Sequence, residues 1–216
     1  MLAEAWWLYL ERTVLAIDHV ILPVRDLALE AAGLEARYGL ASVEGGRHPA
    51  WGTANQIVPL GDSYLELVTV ADRETAARTA FGQWIAAATP GRLLGWAVRT
   101  DSIDAVARRL GQPVHPGSRV TPSGAVISWR SAGADIATHE AGLPFFIQWG
   151  DGVPLLESAA VDHRAGPVTL KTLTVAADRE RLADWLGDDD LPIVVTGLSG
   201  RLAITLTSGR GDFSLG

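Results

Sequence analysis

The chain has 216 residues, 48% apolar and 20% charged, enough to bury roughly 70% of its unfolded surface in one compact unit or two small modules. A net charge of −7, with lysines and arginines scattered, argues against nucleic acid and against an anionic membrane surface as partners. The absence of cysteine excludes disulfides, thiolate metal sites and cysteine nucleophiles, and fits a cytoplasmic setting.

The first fourteen residues, MLAEAWWLYLERTV, have an apolar stretch too short to span a bilayer, flanked by Glu4 and Glu11 rather than by a basic region. They read as a short docked helix carrying Trp6, Trp7 and Leu10, or as an upstream extension whose removal leaves the core folded. VLAIDHVILP is β-branched and apolar, a buried strand interrupted by Asp18 and His19. Asp26 offers an N-cap for the helix LALEAAGLEARY, which Gly39 closes. ASVEGG reads as loop, continuing through His48, Pro49 and Trp51. NQIVPL and SYLELVTV then form a hairpin about Gly61–Asp62, and the unit is assigned the order βαβββ. ADRETAARTAFGQWIAAATPG reads as one bridging helix ended by Pro90–Gly91.

The order then restarts. LLGWAVRT is a strand, and DSIDAVARRLG a helix with an acidic first turn and a glycine stop. A Pro/Gly-rich stretch, QPVHPGSRVTPSG, precedes the strands AVISWR and LPFFIQWG. HVILPVRDL can be laid over GWAVRTDSI, which aligns Leu27 with Ile103 and sets Gly95 opposite His19. The resulting division is an N-terminal extension (1–14), a first module (15–71), a bridging helix (72–92), a second module (93–152) and a C-terminal βαββ extension of the same sheets (153–216).

Individual residues carry the chemistry. Glu66 lies in a run apolar on both faces, where a carboxylate is costly unless it is paired or bound, so a cleft position is expected. His19 interrupts the first strand in the same way. His48, Trp51, Thr53 and Asn55 read either as turn chemistry or as a rim that orients a ligand. Gln148, between Ile147 and Trp149, is expected to face the cleft because a buried amide needs partners. Trp129 and Trp149 are candidates for its lining, whereas Trp84, Trp96 and Trp185 read as packing. His115, His139 and His163 are placed on the surface. No P-loop, G-x-S-x-G elbow, GxGxxG or HExxH is present.

A repeated βαβββ unit with His19 on its first strand and Glu66 on its last resembles the vicinal oxygen chelate superfamily. AIDHVILPVRDL, GGRHPAWGTANQIVPLGDSYLELV and LPFFIQW resemble its glyoxalase-like branch. The resemblance implies an α+β fold in which two paired βαβββ modules form a curved mixed sheet around a cleft. It also implies ligand positions at His19, Glu66, Gly95 and Gln148, of which Gly95 offers no side chain. One divalent ion (zinc, nickel, manganese or iron) held by His19, Glu66 and Gln148 is one expectation; no metal is the other. On this reading Gln148→Glu strengthens the metal site.

The implied function is binding of a small oxygen-rich or aromatic molecule by a monomer or homodimer, with lyase, isomerase or dioxygenase-type chemistry. Glu66 is then the base or metal ligand, and His19 and His48 polarise or protonate an oxygen. A non-catalytic, drug-sequestering binder is the alternative, and a scaffold with a vestigial cleft a third reading.

Overall fold

The computed structural model describes residues 14–153, 161–187, 190–198 and 200–216. Apart from Val14, the N-terminal extension and the expectation for its removal lie outside the described residues.

The first unit runs β1 (Leu15–Pro23), α1 (Leu27–Tyr38), β2 (Val43–His48), β3 (Thr53–Leu60) and β4 (Ser63–Val70). Asp26 caps α1 by accepting from Leu29 N at 2.9 Å, and Gly39, with φ of 71°, ends it. Two short helices, α2 (Arg73–Ala76) and α3 (Ala80–Ala87), lead to the second unit: β5 (Gly95–Thr100), α4 (Ile103–Leu110), β6 (Val114–Val120), β7 (Val126–Ala132), α5 (Ala134–Ala137) and β8 (Phe145–Trp149). In each unit the first strand pairs parallel with the last, β1 with β4 and β5 with β8. The eight strands close as a barrel in the order β1-β4-β3-β2-β6-β7-β8-β5. One seam is the antiparallel β1–β5 ladder; the other, between β2 and β6, rests on the pair Arg47–Val120.

Strands β1, β4 and β5 are apolar on both faces because both are covered, whereas β2, β6 and β7 keep one exposed face. Inward residues such as Ile21, Val68, Ala97, Phe145 and Ile147 form one cluster, capped at one side by Trp84 and Ile85 of α3. Outward residues such as Val20, Leu22, Leu65, Leu67, Trp96 and Phe146 form a larger cluster with the helices and a second sheet. That sheet comprises β9 (Val168–Val175), β10 (Ile193–Val195), β11 (Ala203–Ser208) and β12 (Gly211–Leu215), in the order β10-β9-β11-β12, with α6 (Arg179–Leu186) between β9 and β10. It is separate from the barrel, not an extension of its sheets, and adds one strand to the expected βαββ order. Arg109 of α4 donates to the carbonyls of Asp184, Trp185 and Leu186 at the end of α6, tying this sheet's helix to the barrel. His163, expected on the surface, is half-buried and makes a second tie: it accepts from Ala41 N at 2.9 Å and its Nε2 lies 2.8 Å from Pro59 O.

Three further sequence expectations change. The glycine-rich loop before His48 is strand β2, bulged at Gly45; a side chain there would run into Asn55 Oδ1 and stand 3.1 Å from Arg119 Nη1. HPGSRV, taken as irregular, is strand β6, and its Gly117 leaves room for the Trp129 indole. The bridging helix breaks at Ala77–Thr79, where Thr79 caps α3 by accepting from Gly82 N at 3.1 Å. No helix among the described residues is long and apolar enough to cross a membrane.

Candidate active site

Strand register decides which side chains enter the barrel. His19 pairs with Tyr64 and Ile21 with Glu66 across β1 and β4; Thr53 and Asn55 of β3 lie opposite Val70 and Val68; His48 of β2 lies opposite Thr53. Facing residues share a side of the sheet, so His19, His48, Thr53, Asn55, Tyr64 and Glu66 converge inside. Strict alternation would send Asp18 outward. A bulge between Ile17 and His19 in the β1–β5 ladder instead turns it towards the same interior.

All of these polar groups are buried. The Glu66 carboxylate accepts from Asn55 Nδ2 at 2.6 Å, and lies 3.6 Å from His19 Nε2 and 4.0 Å from His48 Nε2. Asp18 holds the other side of the His19 ring, with Oδ1 2.7 Å from Nδ1. A carboxylate accepts only, so the proton sits on Nδ1 and Nε2 is presented to Glu66 and the cavity. Asp18 Oδ2 also accepts from Trp149 Nε1 at 2.9 Å, and the Tyr64 phenol lies within the field of the same carboxylate. Burial, reinforced by Asp18 and Glu66, pushes the Tyr64 phenol well above its ordinary value, so it remains a donor.

His48 Nδ1 lies 2.9 Å from Thr53 Oγ1. Burial holds the His48 imidazole below its ordinary value of 6.5; Glu66 opposes this, while Arg119 and His19 add to it. His48 is therefore neutral near pH 7, able to accept or relay a proton but contributing no fixed charge.

The cavity above these groups has a volume of about 320 Å³, at the small end of ligand sites. Its walls are rings. Phe81, Trp51, Trp129 and Trp149 follow one another with centroids 4.8, 5.5 and 5.4 Å apart, and Phe145 meets the His19 ring edge-on with centroids 5.6 Å apart. His48, Thr53 and Asn55 thus stand on barrel strands rather than in a loop, Trp51 lies in the turn between β2 and β3, and Trp129 lines the cavity from β7.

Gln148 is not in this cavity. Trp149, Ile147 and Phe145 take the inward positions of β8, so Gln148 points outward with Phe146. There its Oε1 accepts from Ile103 N and from Arg130 Nη2, each at 3.1 Å, and its Nε2 donates to Asp101 O at 2.9 Å. It caps α4, whose N-cap residue Ser102 makes no side-chain bond. Gly95 faces inward, but the Trp84 ring lies against it where a side chain would start. The sequence reading also passed over Arg119, Tyr64, Phe145 and the orienting role of Asp18. The Arg119 strand was hidden by its proline and glycine; the Asp18 bulge has no sequence mark.

These positions bear on a metal. The second unit presents Gly95, Ala97, Phe145 and Ile147 where the remaining ligands would stand, and Arg119 adds a cation to the same space. Among the described residues no group of three or more His, Asp or Glu side chains is arranged to hold an ion. The four-ligand set implied by the resemblance does not fit, and no step is assigned to a metal.

The sequence profile of the glyoxalase-like domain family matches residues 17–189. The chain belongs to that family. With it comes membership of the vicinal oxygen chelate superfamily, whose paired βαβββ units are the two halves of this barrel. Among solved structures, this glyoxalase-like chain is similar to a hypothetical protein from Staphylococcus aureus, with a TM-score of 0.68 at 16% identity over 87% of this chain and 88% of that one. It is more distantly similar to methylmalonyl-CoA epimerase of Streptomyces coelicolor (TM-score 0.47, 19% identity, 64% of this chain and 98% of that one). For the Mycobacterium tuberculosis epimerase the values are 0.46 and 18%, over 67% and 92%. The first likeness shows the fold alone, and the other two carry no argument about chemistry. No curated protein sequence matches the chain.

Proposed function

We propose that this glyoxalase-like protein binds a small, largely apolar molecule bearing a carbonyl oxygen and moves a proton on it, as an isomerase or lyase acting in the cytoplasm. The observation that carries the reading is the buried Glu66 carboxylate facing His19 Nε2 at 3.6 Å across the floor of an aromatic cavity. Glu66 is the base that takes a proton from carbon next to the carbonyl, with Asn55 fixing its orientation. Neutral His48, whose Nδ1 faces the Thr53 hydroxyl, donates from Nε2 to polarise the oxygen, and His19, set by Asp18 with its unprotonated Nε2 facing Glu66, relays the proton.

The test uses phenylacetone, a neutral ketone of suitable size whose benzylic protons exchange slowly with water. In heavy water the protein is expected to accelerate deuterium uptake at that carbon, and Glu66→Gln to abolish the acceleration while keeping the tryptophan-fluorescence response to binding. Binding with exchange no faster than in buffer would favour the second reading, a non-catalytic binder, to which the tryptophan-lined cavity is equally suited.

A further inference from the structure

The barrel interior holds a charged group that proton transfer does not use. Arg119 projects inward from β6, is 5% exposed, and lines the same cavity as Glu66 and His19. Its buried Nε has no hydrogen-bond partner, and among the described residues no carboxylate forms an ion pair with it. The two acids nearest in kind are occupied elsewhere. Asp18 serves His19 and Trp149, and Glu66 takes Asn55 while facing the two histidines. Beside the guanidinium, Asn55 Oδ1 is also buried and unpartnered, and both groups approach β2 over Gly45, where any side chain would displace them.

A buried guanidinium with no direct ion pair and an unpartnered Nε is expensive, and a ligand carboxylate in this cavity would supply the partner it lacks. The fork of an arginine fits the two oxygens of a carboxylate. The remaining wall is aromatic: Trp51, Phe81, Trp129, Phe145 and Trp149. Glu66 and Asp18 in the same small volume disfavour a dianion such as a phosphate monoester.

We infer that Arg119 is a carboxylate-binding residue and that the natural ligand is a small aromatic or similarly apolar monocarboxylic acid, its acid group on Arg119 and its ring against the tryptophans. The inference rests on the proton-transfer reading only for the position of the reacting carbon, above Glu66. It makes Arg119 a determinant of specificity, not of chemistry.

The experiment compares phenylacetate with phenylacetamide, which match in shape and differ in charge, by tryptophan fluorescence and calorimetry on the full chain. Phenylacetate is expected to bind on the order of tenfold or more tightly. Arg119→Gln should erase the difference and Arg119→Lys restore part of it. Arg119→Gln should keep a cooperative thermal transition above the assay temperature without ligand, which separates lost recognition from lost folding. Equal affinity of the two probes, including no detectable binding of either, overturns the inference, as does charge discrimination that survives in Arg119→Gln. Exchange on neutral phenylacetone is scored separately. If it proceeds without charge discrimination, the Arg119 assignment alone fails; discrimination without exchange leaves Arg119 standing and removes the proton-transfer reading.

Discussion

Replacing Gln148 by leucine separates a helix cap from a site residue. The glutamine amide makes three bonds, to Ile103 N at 3.1 Å, Asp101 O at 2.9 Å and Arg130 Nη2 at 3.1 Å. Arg130 keeps its ion pair with Asp104, Nη1 donating to both carboxylate oxygens at 2.9 Å, so that bond is the least missed. The other two satisfy backbone groups at the start of α4, and each is worth about 1 kcal/mol net. Position 148 is only half-buried, so water recovers part of the loss. The expected destabilisation is about 1.5 kcal/mol, or roughly 3–6 °C in melting temperature for a chain of this size. Gln148→Glu keeps the acceptor and adds a favourable charge at the helix N-terminus, but sets an oxygen against Asp101 O, so it should fall between leucine and wild type. The assay is thermal unfolding of the three proteins, each paired with a titration of phenylacetate. Unchanged ligand binding with the stated loss of stability is expected. A variant of full stability whose cavity binding collapses would refute the argument from strand alternation and return Gln148 to the site.

Gly95→Ala is expected to cost about 1–3 kcal/mol, read by denaturant unfolding, because its methyl group meets the Trp84 ring. Asp18→Asn should lower phenylacetone exchange by on the order of tenfold without closing the cavity, since the His19 tautomer loses its anchor. His48 supplies a pH signature. Its folded-state value is depressed below 6.5 by burial, so the unfolded chain binds the proton more readily. The resulting penalty is absent above about pH 7 and grows as pH falls through the ordinary histidine range. His48→Gln should therefore lose less melting temperature than the wild type between neutral and mildly acidic pH, and parallel curves for the two would contradict the burial argument.

The sequence made the outline of this molecule readable because polar residues in apolar strands are costly and therefore informative. Asp18, His19 and Glu66 stood out in runs with no wet face, and the repeat was visible from the spacing of helix starts at Leu27 and Ile103. What stayed hidden depended on strand phase. PFFIQW is apolar enough on both sides that Gln148 and Trp149 could each be the inward residue; only the pairing of Trp149 with Trp129 decides it. GGRH and HPGSRV carry glycine and proline, the usual marks of turns, yet here glycine makes room for Asn55, Arg119 and Trp129 inside a closed barrel. With those two strands misread, Arg119 had no place from which to reach the cavity. The contribution of Asp18 depended on a one-residue bulge, and no composition rule anticipates it.

The central claim is that Glu66 stands over the reacting carbon of a ligand held in the aromatic cavity, and a crystal structure of Glu66→Gln soaked with phenylacetone tests it most directly. The ketone's benzylic carbon is expected within about 3.5 Å of the side chain at position 66, with the carbonyl oxygen toward His48 Nε2. A ketone bound elsewhere, or lying in this cavity with the benzylic carbon turned away from position 66, would contradict it.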